Sequence, residues 1–206
     1  MILVAATTNP GKRRELAALL DGCGVALRGL DDFPAAPTVQ ESGDTFLANA
    51  RLKAHAAARH CGAPALADDS GLEVDALGGL PGVRSARFAA DAGAGAGDAA
   101  NVTLLLARLA GVAEAARTAR FRCAVVVARP DGAELVATGL CEGRIAAAPR
   151  GRGGFGYDPV FLYPPLGRTF AELTGAEKDR ISHRAAAVAA LRARLAGFVA
   201  GEPVRG

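Results

Sequence analysis

Ile2–Leu20, read as ILVAATTNPGKRRELAALL, decides the class of fold. Five apolar residues, Ile2 to Ala6, make a short β-prone run, and Thr7-Thr8-Asn9-Pro10-Gly11-Lys12 then turns into a helical pattern ending near Leu20. Asn9 is suited to cap a helix, and Pro10 to open it, because the first helical N–H has no partner to lose. Strand, turn and helix in that order begin an α/β domain.

Working outward, segment 25–30 reads as a second strand, and Phe33-Pro34 to Gly43 as a loop carrying Glu41. Thr45 to Arg59 reads as a helix, and Pro64 to Ala67 as a short buried strand. The strand is expected to end before Asp68-Asp69-Ser70-Gly71 and the glycine-rich turn 78–82. Residues 89–100, AADAGAGAGDAA, read as a mobile Ala/Gly loop. Asn101 to Ala110 reads as a helix, and Phe121–Ala128 and Leu135–Cys141 as a hairpin through Pro130-Asp131-Gly132. The chain ends on a helix with the apolar stripe Val188, Leu191, Leu195, Phe198. A mixed α/β fold follows, with a central β-sheet flanked by helices; residues 1–200 are expected to form one domain and 201–206 a tail.

Composition narrows the function. With 206 residues, 50% of them hydrophobic and 22% charged, the chain has the length and make-up of a folded domain with a core. A net charge of +3 is too small to argue for nucleic acid or a membrane surface as the main partner. No apolar run reaches the roughly 18 residues of a membrane span, and the N-terminus lacks the pattern of a signal peptide. Cys23, Cys61, Cys123 and Cys141 form no CxxC pair, so reduced thiols and a cytoplasmic location are expected.

The 24 basic residues include only three lysines, Lys12, Lys53 and Lys178, in a chain that otherwise writes arginine. A compact ammonium is a different reagent from a guanidinium, so each lysine invites a reason. Lys12 follows a helix N-terminus, where free N–H groups and the dipole suit a phosphate. The Walker A pattern is absent, and a capped helix after a strand is commonplace. Lys53 shares a helical stripe with Phe46, Ala50 and Ala57, which are apolar. Asp68, Asp69 and Glu41 supply carboxylates for Mg²⁺ or for orienting a water; alternatively Asp68 and Asp69 cap a turn through Asx-type hydrogen bonds. Strand alternation lets at most one of the two aspartates face a given side. In GGFGYDP, Phe155 and Tyr157 either stack on a flat ligand or plug the space beneath a glycine loop. Lys178, Ser182, His183 and Arg184 gather near the start of the last helix, where a His⁺ or Arg donor could read a 6-oxo purine.

Taken in order, TTNPGK, Glu41, TFLANARLKA, ADDSGLEVDALGGLPGVRSARF, GGFGYDPVF and ELTGAEKDRISHR resemble the inosine triphosphate pyrophosphatase family. Its bacterial members are the RdgB-like purine NTP pyrophosphatases that clear deaminated nucleotides. The resemblance runs from Thr7 into the last helix. It implies a two-lobed fold with an active-site cleft between the lobes, a homodimer, and Mg²⁺-dependent hydrolysis of ITP, dITP and XTP to the monophosphate and pyrophosphate. By the same resemblance Thr7, Thr8, Asn9, Pro10, Gly11, Lys12 and Lys53 hold the triphosphate, and Glu41 and Asp69 the metal. Asp69 accepts the proton, and Ser70 contacts substrate. Phe155, Gly156, Tyr157, Asp158, Lys178, His183 and Arg184 enclose and read the base. Arg87 is a weaker candidate. Two other readings compete: a nucleotide-binding regulatory protein without turnover, and a phosphohydrolase of different base specificity.

Overall fold

A computed structural model describes residues 1–36 and 38–202; the rest of the expected tail, 203–206, lies outside them. In chain order the elements are β1 (Ile2–Ala5), α1 (Pro10–Leu19), β2 (Ala26–Gly29), α2 (Phe46–Cys61), β3 (Ala65–Val74), α3 (Phe88–Asp91), α4 (Asp98–Arg108), β4 (Thr118–Ala128), β5 (Glu134–Ile145), β6 (Phe161–Tyr163), β7 (Arg168–Thr169), α5 (Gly175–Ile181) and α6 (His183–Val199). The strands form a seven-stranded mixed sheet in the order β2-β1-β3-β4-β5-β6-β7. β1 runs parallel to both β2 and β3, with Val4 opposite Ala65, whereas β6 is antiparallel to β5 and β7. The mixed α/β reading therefore holds.

The chain divides into two compact units. The first comprises Met1–Asp69, Cys123–Gly139 and the chain from His183 on; the second comprises Ser70–Arg122 and Leu140–Ser182. In the first unit, strand alternation sorts the core into two layers. Leu3, Leu66, Val125 and Val127 pack with Leu16 and Leu20 of α1 and with Val188, Leu191, Leu195 and Phe198 of α6. Val4, Ala65, Ala67 and Val126 pack instead with Ala50, Ala54, Ala57 and Ala58 of α2, whose small side chains let the helix lie close to the sheet. The second unit has its own core, in which the rings of Phe121, Phe161 and Phe170 meet at centroid distances of 4.5 to 5.8 Å.

Helix starts obey local chemistry. The Asn9 side chain accepts the Lys12 amide at 3.0 Å with Pro10 as the first helical residue, and Thr45 caps α2 by accepting the Ala48 amide at 3.1 Å. Gly62 closes α2 in the left-handed conformation.

Three expectations need correction. β3 does not stop at Ala67 but continues through both aspartates to Val74, because each buried carboxylate meets cationic partners from the helices covering its face. The expected loop at 89–100 is confined to 92–97: α3 extends to Asp91 and α4 starts at Asp98, an acid well placed in a first turn. The last helix is α6 as expected, but the second strand of the hairpin runs past Cys141 to Ile145.

Candidate active site

Adjacent in sequence, Asp68 and Asp69 point to opposite faces of β3, and so answer to different helices. Asp68 lies on the Leu66 side, beneath α1 and α6. Arg184, near the start of α6, donates to its Oδ2 from Nε at 3.1 Å and from Nη2 at 2.8 Å. The Lys12 ammonium stands 3.1 Å from the same oxygen, and Arg184 also donates to Glu15 of α1. Both Asp68 and Arg184 are 1% exposed. Burial opposes ionisation of Asp68, but Arg184, Lys12 and Lys53 outweigh it and hold the carboxyl well below the usual range.

Asp69 lies on the Ala67 side, against α2. Lys53 donates to its Oδ1 at 3.1 Å and to Glu41 Oε1 at 2.6 Å, so one ammonium gathers two carboxylates 28 positions apart in the chain. Asn49, one helical turn before Lys53, donates from Nδ2 to Asp69 Oδ2 at 3.2 Å. Burial pushes the Asp69 carboxyl up, and Glu41 adds to that, against the pull of Lys53 and Lys12. Lys53 itself is raised, since Asp69, Asp68 and Glu41 together outweigh its own burial. A carboxylate with a raised pKa is a better proton acceptor than an ordinary surface acid.

Glu41 and Asp69 supply hard oxygen donors, and Glu41 remains about one-third exposed. Among the described residues no cluster of three or more His, Cys, Asp or Glu is gathered. Two carboxylates nevertheless fit a divalent cation such as Mg²⁺, which completes its octahedron with waters and substrate phosphates. At the N-terminus of α1, Thr8, Asn9 and Pro10 are exposed and Thr7 is half-buried, its hydroxyl accepting the Asn9 amide at 3.2 Å. Gly11 is buried, and the opening turn leaves backbone N–H groups for an anion.

The second unit holds the other expected group. Lys178 is 5% exposed and donates to Asp158 Oδ2 at 2.5 Å, with its ammonium 4.9 Å from the Phe155 ring centroid. Asp158 also accepts the Phe155 amide at 2.9 Å, which closes the loop tightly. Gly154, at φ +72°, is required there, because a Cβ would stand 1.9 Å from Asp158 Oδ2. Phe155 and Gly156 remain partly exposed, and Ser70 is half-buried in β3.

Tyr157 sits beneath the glycine loop, as the plug reading has it. Its ring is packed in the core, and its hydroxyl donates to the Ser85 carbonyl at 2.9 Å, so it supports the loop from below. The Arg184 guanidinium is engaged with Asp68 and Glu15. His183 is buried at the start of α6. Arg87 makes a local ion pair with Asp91 at 3.5 Å. Sequence reasoning missed Asn49 and Glu15. Asn49 carried a usable signal: it lies i−4 from Lys53, a second polar residue on the buried side of α2.

An α/β protein whose helix N-terminus, partly buried lysines and paired carboxylates are gathered in one unit belongs to the class built to handle phosphorylated ligands. The sequence profile of the Ham1 family matches residues 3–194, and the chain belongs to that family. The dITP/XTP pyrophosphatase of Geobacillus kaustophilus is 53% identical over 200 residues, which cover 97% of this chain and 97% of that protein. The solved structure of a HAM1 protein from Coxiella burnetii gives a TM-score of 0.84 at 40% identity, over 95% of this chain and 98% of that one. The Staphylococcus aureus Ham1 protein gives 0.82 at 38% identity, over 96% and 100% of the two chains. Among the described residues no helix is long and apolar enough to cross a membrane.

Proposed function

We propose that this chain hydrolyses dITP, ITP and XTP or dXTP to the nucleoside monophosphate and pyrophosphate, removing deaminated purines from the nucleotide pool. The observation that carries the chemistry is the convergence of Glu41 and Asp69 on the Lys53 ammonium. Near-full-length identity of about half to proteins named dITP/XTP pyrophosphatase supports the substrate class.

Water attacks the α-phosphorus. Asp69 accepts the proton as the new P–O bond forms, the bond from the α-phosphorus to the bridging oxygen breaks, and pyrophosphate leaves with that oxygen. Lys12, Lys53 and the amides at the start of α1 hold the phosphate oxygens and stabilise the charge that builds on them. Glu41 and Asp69 would hold Mg²⁺, and the ion would supply positive charge to offset that of the phosphates. Phe155 and Gly156 contact the base. Lys178 and Asp158 fix the shape of that loop, Tyr157 supports it, and Ser70 contacts substrate beside Asp69. Arg184 holds Asp68, so that Lys12 is presented at a fixed place. Presence of both Glu41 and Asp69 favours turnover over a purely regulatory nucleotide-binding role. A cytoplasmic homodimer, with neither nucleic acid nor membrane as partner, completes the reading.

The test is a panel of ITP, dITP, XTP, GTP, ATP and dTTP with Mg²⁺, assayed for pyrophosphate and orthophosphate. Pyrophosphate should appear first from the 6-oxo purines ITP, dITP and XTP, and Asp69→Asn should lower turnover by at least roughly a hundredfold. Orthophosphate as primary product, or undiminished turnover in the variant, would count against it.

A further inference from the structure

Asn49 is 0% exposed on α2, with both ends of its amide engaged. The Gly43 N–H donates to Asn49 Oδ1 at 2.8 Å, and Asn49 Nδ2 donates to Asp69 Oδ2 at 3.2 Å. The partners dictate the orientation: a backbone N–H must meet the oxygen and a carboxylate must meet the NH₂, so a flipped amide would lose both bonds. Gly43 and Glu41 lie two residues apart on a segment with no helix or strand of its own. That segment is tied to α2 at Glu41 through Lys53 and at Gly43 through Asn49. Both residues of α2 then grip opposite oxygens of Asp69. The bonds close a ring: Gly43, Asn49, Asp69, Lys53, Glu41 and back along the chain. Gly43 is held close, since a Cβ there would stand 2.7 Å from Ala48 Cβ and 2.8 Å from Asn49 Oδ1.

We infer that Asn49 is a positioning residue for the proposed hydrolysis, an inference that rests on that reading: it orients the Asp69 carboxylate and sets the segment carrying Glu41 against it. Lys53 alone leaves Asp69 free to turn about its Cβ–Cγ bond, because a single ammonium contact on one oxygen does not fix the plane of the carboxylate. The Asn49 bond to the second oxygen removes that freedom. Because the Asn49 amide is itself held by the Gly43 N–H, any displacement of the segment reaches Asp69 directly. A reacting group misplaced by about 1 Å can lose as much as a hundredfold in rate.

Two variants separate the bonds. Asn49→Leu removes both; Asn49→Asp keeps the acceptor for Gly43 and removes the donor to Asp69. Wild-type release of pyrophosphate from dITP is measured first, so failure of the functional reading is visible before any variant is compared. In Asn49→Leu, kcat should fall roughly tenfold to a hundredfold while KM stays within about threefold, and the Gly43 amide should lose its protection from hydrogen exchange. In Asn49→Asp, kcat should fall while the Gly43 amide stays protected. Either variant combined with Asp69→Asn should be no slower than Asp69→Asn alone. Unchanged kcat in Asn49→Asp, or additive loss in the double variant, overturns the inference. A loss of kcat that only tracks a smaller folded fraction by thermal melting assigns Asn49 a structural role and overturns it as well. Gly43 exchange reads the ring with no turnover at all, and an unprotected Gly43 amide in the wild type also overturns it.

Discussion

Removing the Arg184 guanidinium would leave Asp68 buried with the Lys12 ammonium still beside it as a counter-charge. Breaking one side of a buried ion pair costs about 3–5 kcal/mol, because the remaining charge keeps its desolvation penalty and loses its partner. Arg184→Met is expected to lower unfolding free energy by about 3 kcal/mol, the lower end, since Lys12 stays in place. Urea unfolding followed by circular dichroism measures this, and an unmoved midpoint would contradict the account of Arg184 as the residue that holds Asp68. At this scale the lysines were legible. A chain that writes arginine elsewhere kept Lys12, Lys53 and Lys178 for contacts with Asp68, with Glu41 and Asp69, and with Asp158. The pairing of Arg184 with Asp68 was not legible, because the two lie 116 residues apart and an arginine beside histidine near a helix start suits a base reader equally well.

Among the elements, α5 shows how a short helix is held. Thr174 and Glu177 form a reciprocal capping box, and Arg168 of β7 donates to Glu177 at 2.6 Å. The Arg168 hydrogen bond and the Thr174 amide hold the Glu177 carboxyl down at about 2, against an ordinary value of 4.5. A depressed carboxylate contributes stability that is complete above its unfolded pKa and fades as pH falls toward the folded one. Glu177→Gln should therefore melt below the wild type at pH 6 to 7, and the two melting temperatures should converge as pH is lowered from about 4.5 toward 2. A gap that persists at the acid end would show that uncharged packing, and not the carboxylate, is what Glu177 contributes. Elements with local chemistry were readable in advance: the Asn9 cap and Pro10 of α1, the stripe of α2, and the turn between β4 and β5. The end of β3 was not. Two adjacent carboxylates ordinarily mark the end of a buried strand, and what carries β3 past them is cationic groups from α1, α2 and α6. Their approach is a tertiary fact with no local signal. The Ala/Gly segment misled for the opposite reason, since its composition is that of a loop although Asp98 opens a helix within it.

On the scale of the whole molecule, the arrangement amounts to a division of labour along one strand. β3 turns Asp68 toward α1 and α6 and Asp69 toward α2, and the alternation of side chains keeps Asp68 apart from the carboxylate proposed to do the chemistry. Mixed α/β class and family were readable from ordered motifs, because each motif is local and their order is linear. The hydrogen bonds of Asn49 were not, since they depend on which face each element presents. The proposed reaction turns on attack of water at the α-phosphorus, with pyrophosphate as the leaving group. Hydrolysis of dITP in ¹⁸O-labelled water, with mass spectrometry of both products, tests it most directly. The label should appear in the nucleoside monophosphate and be absent from pyrophosphate; label in pyrophosphate would place the attack at the β-phosphorus and contradict the account.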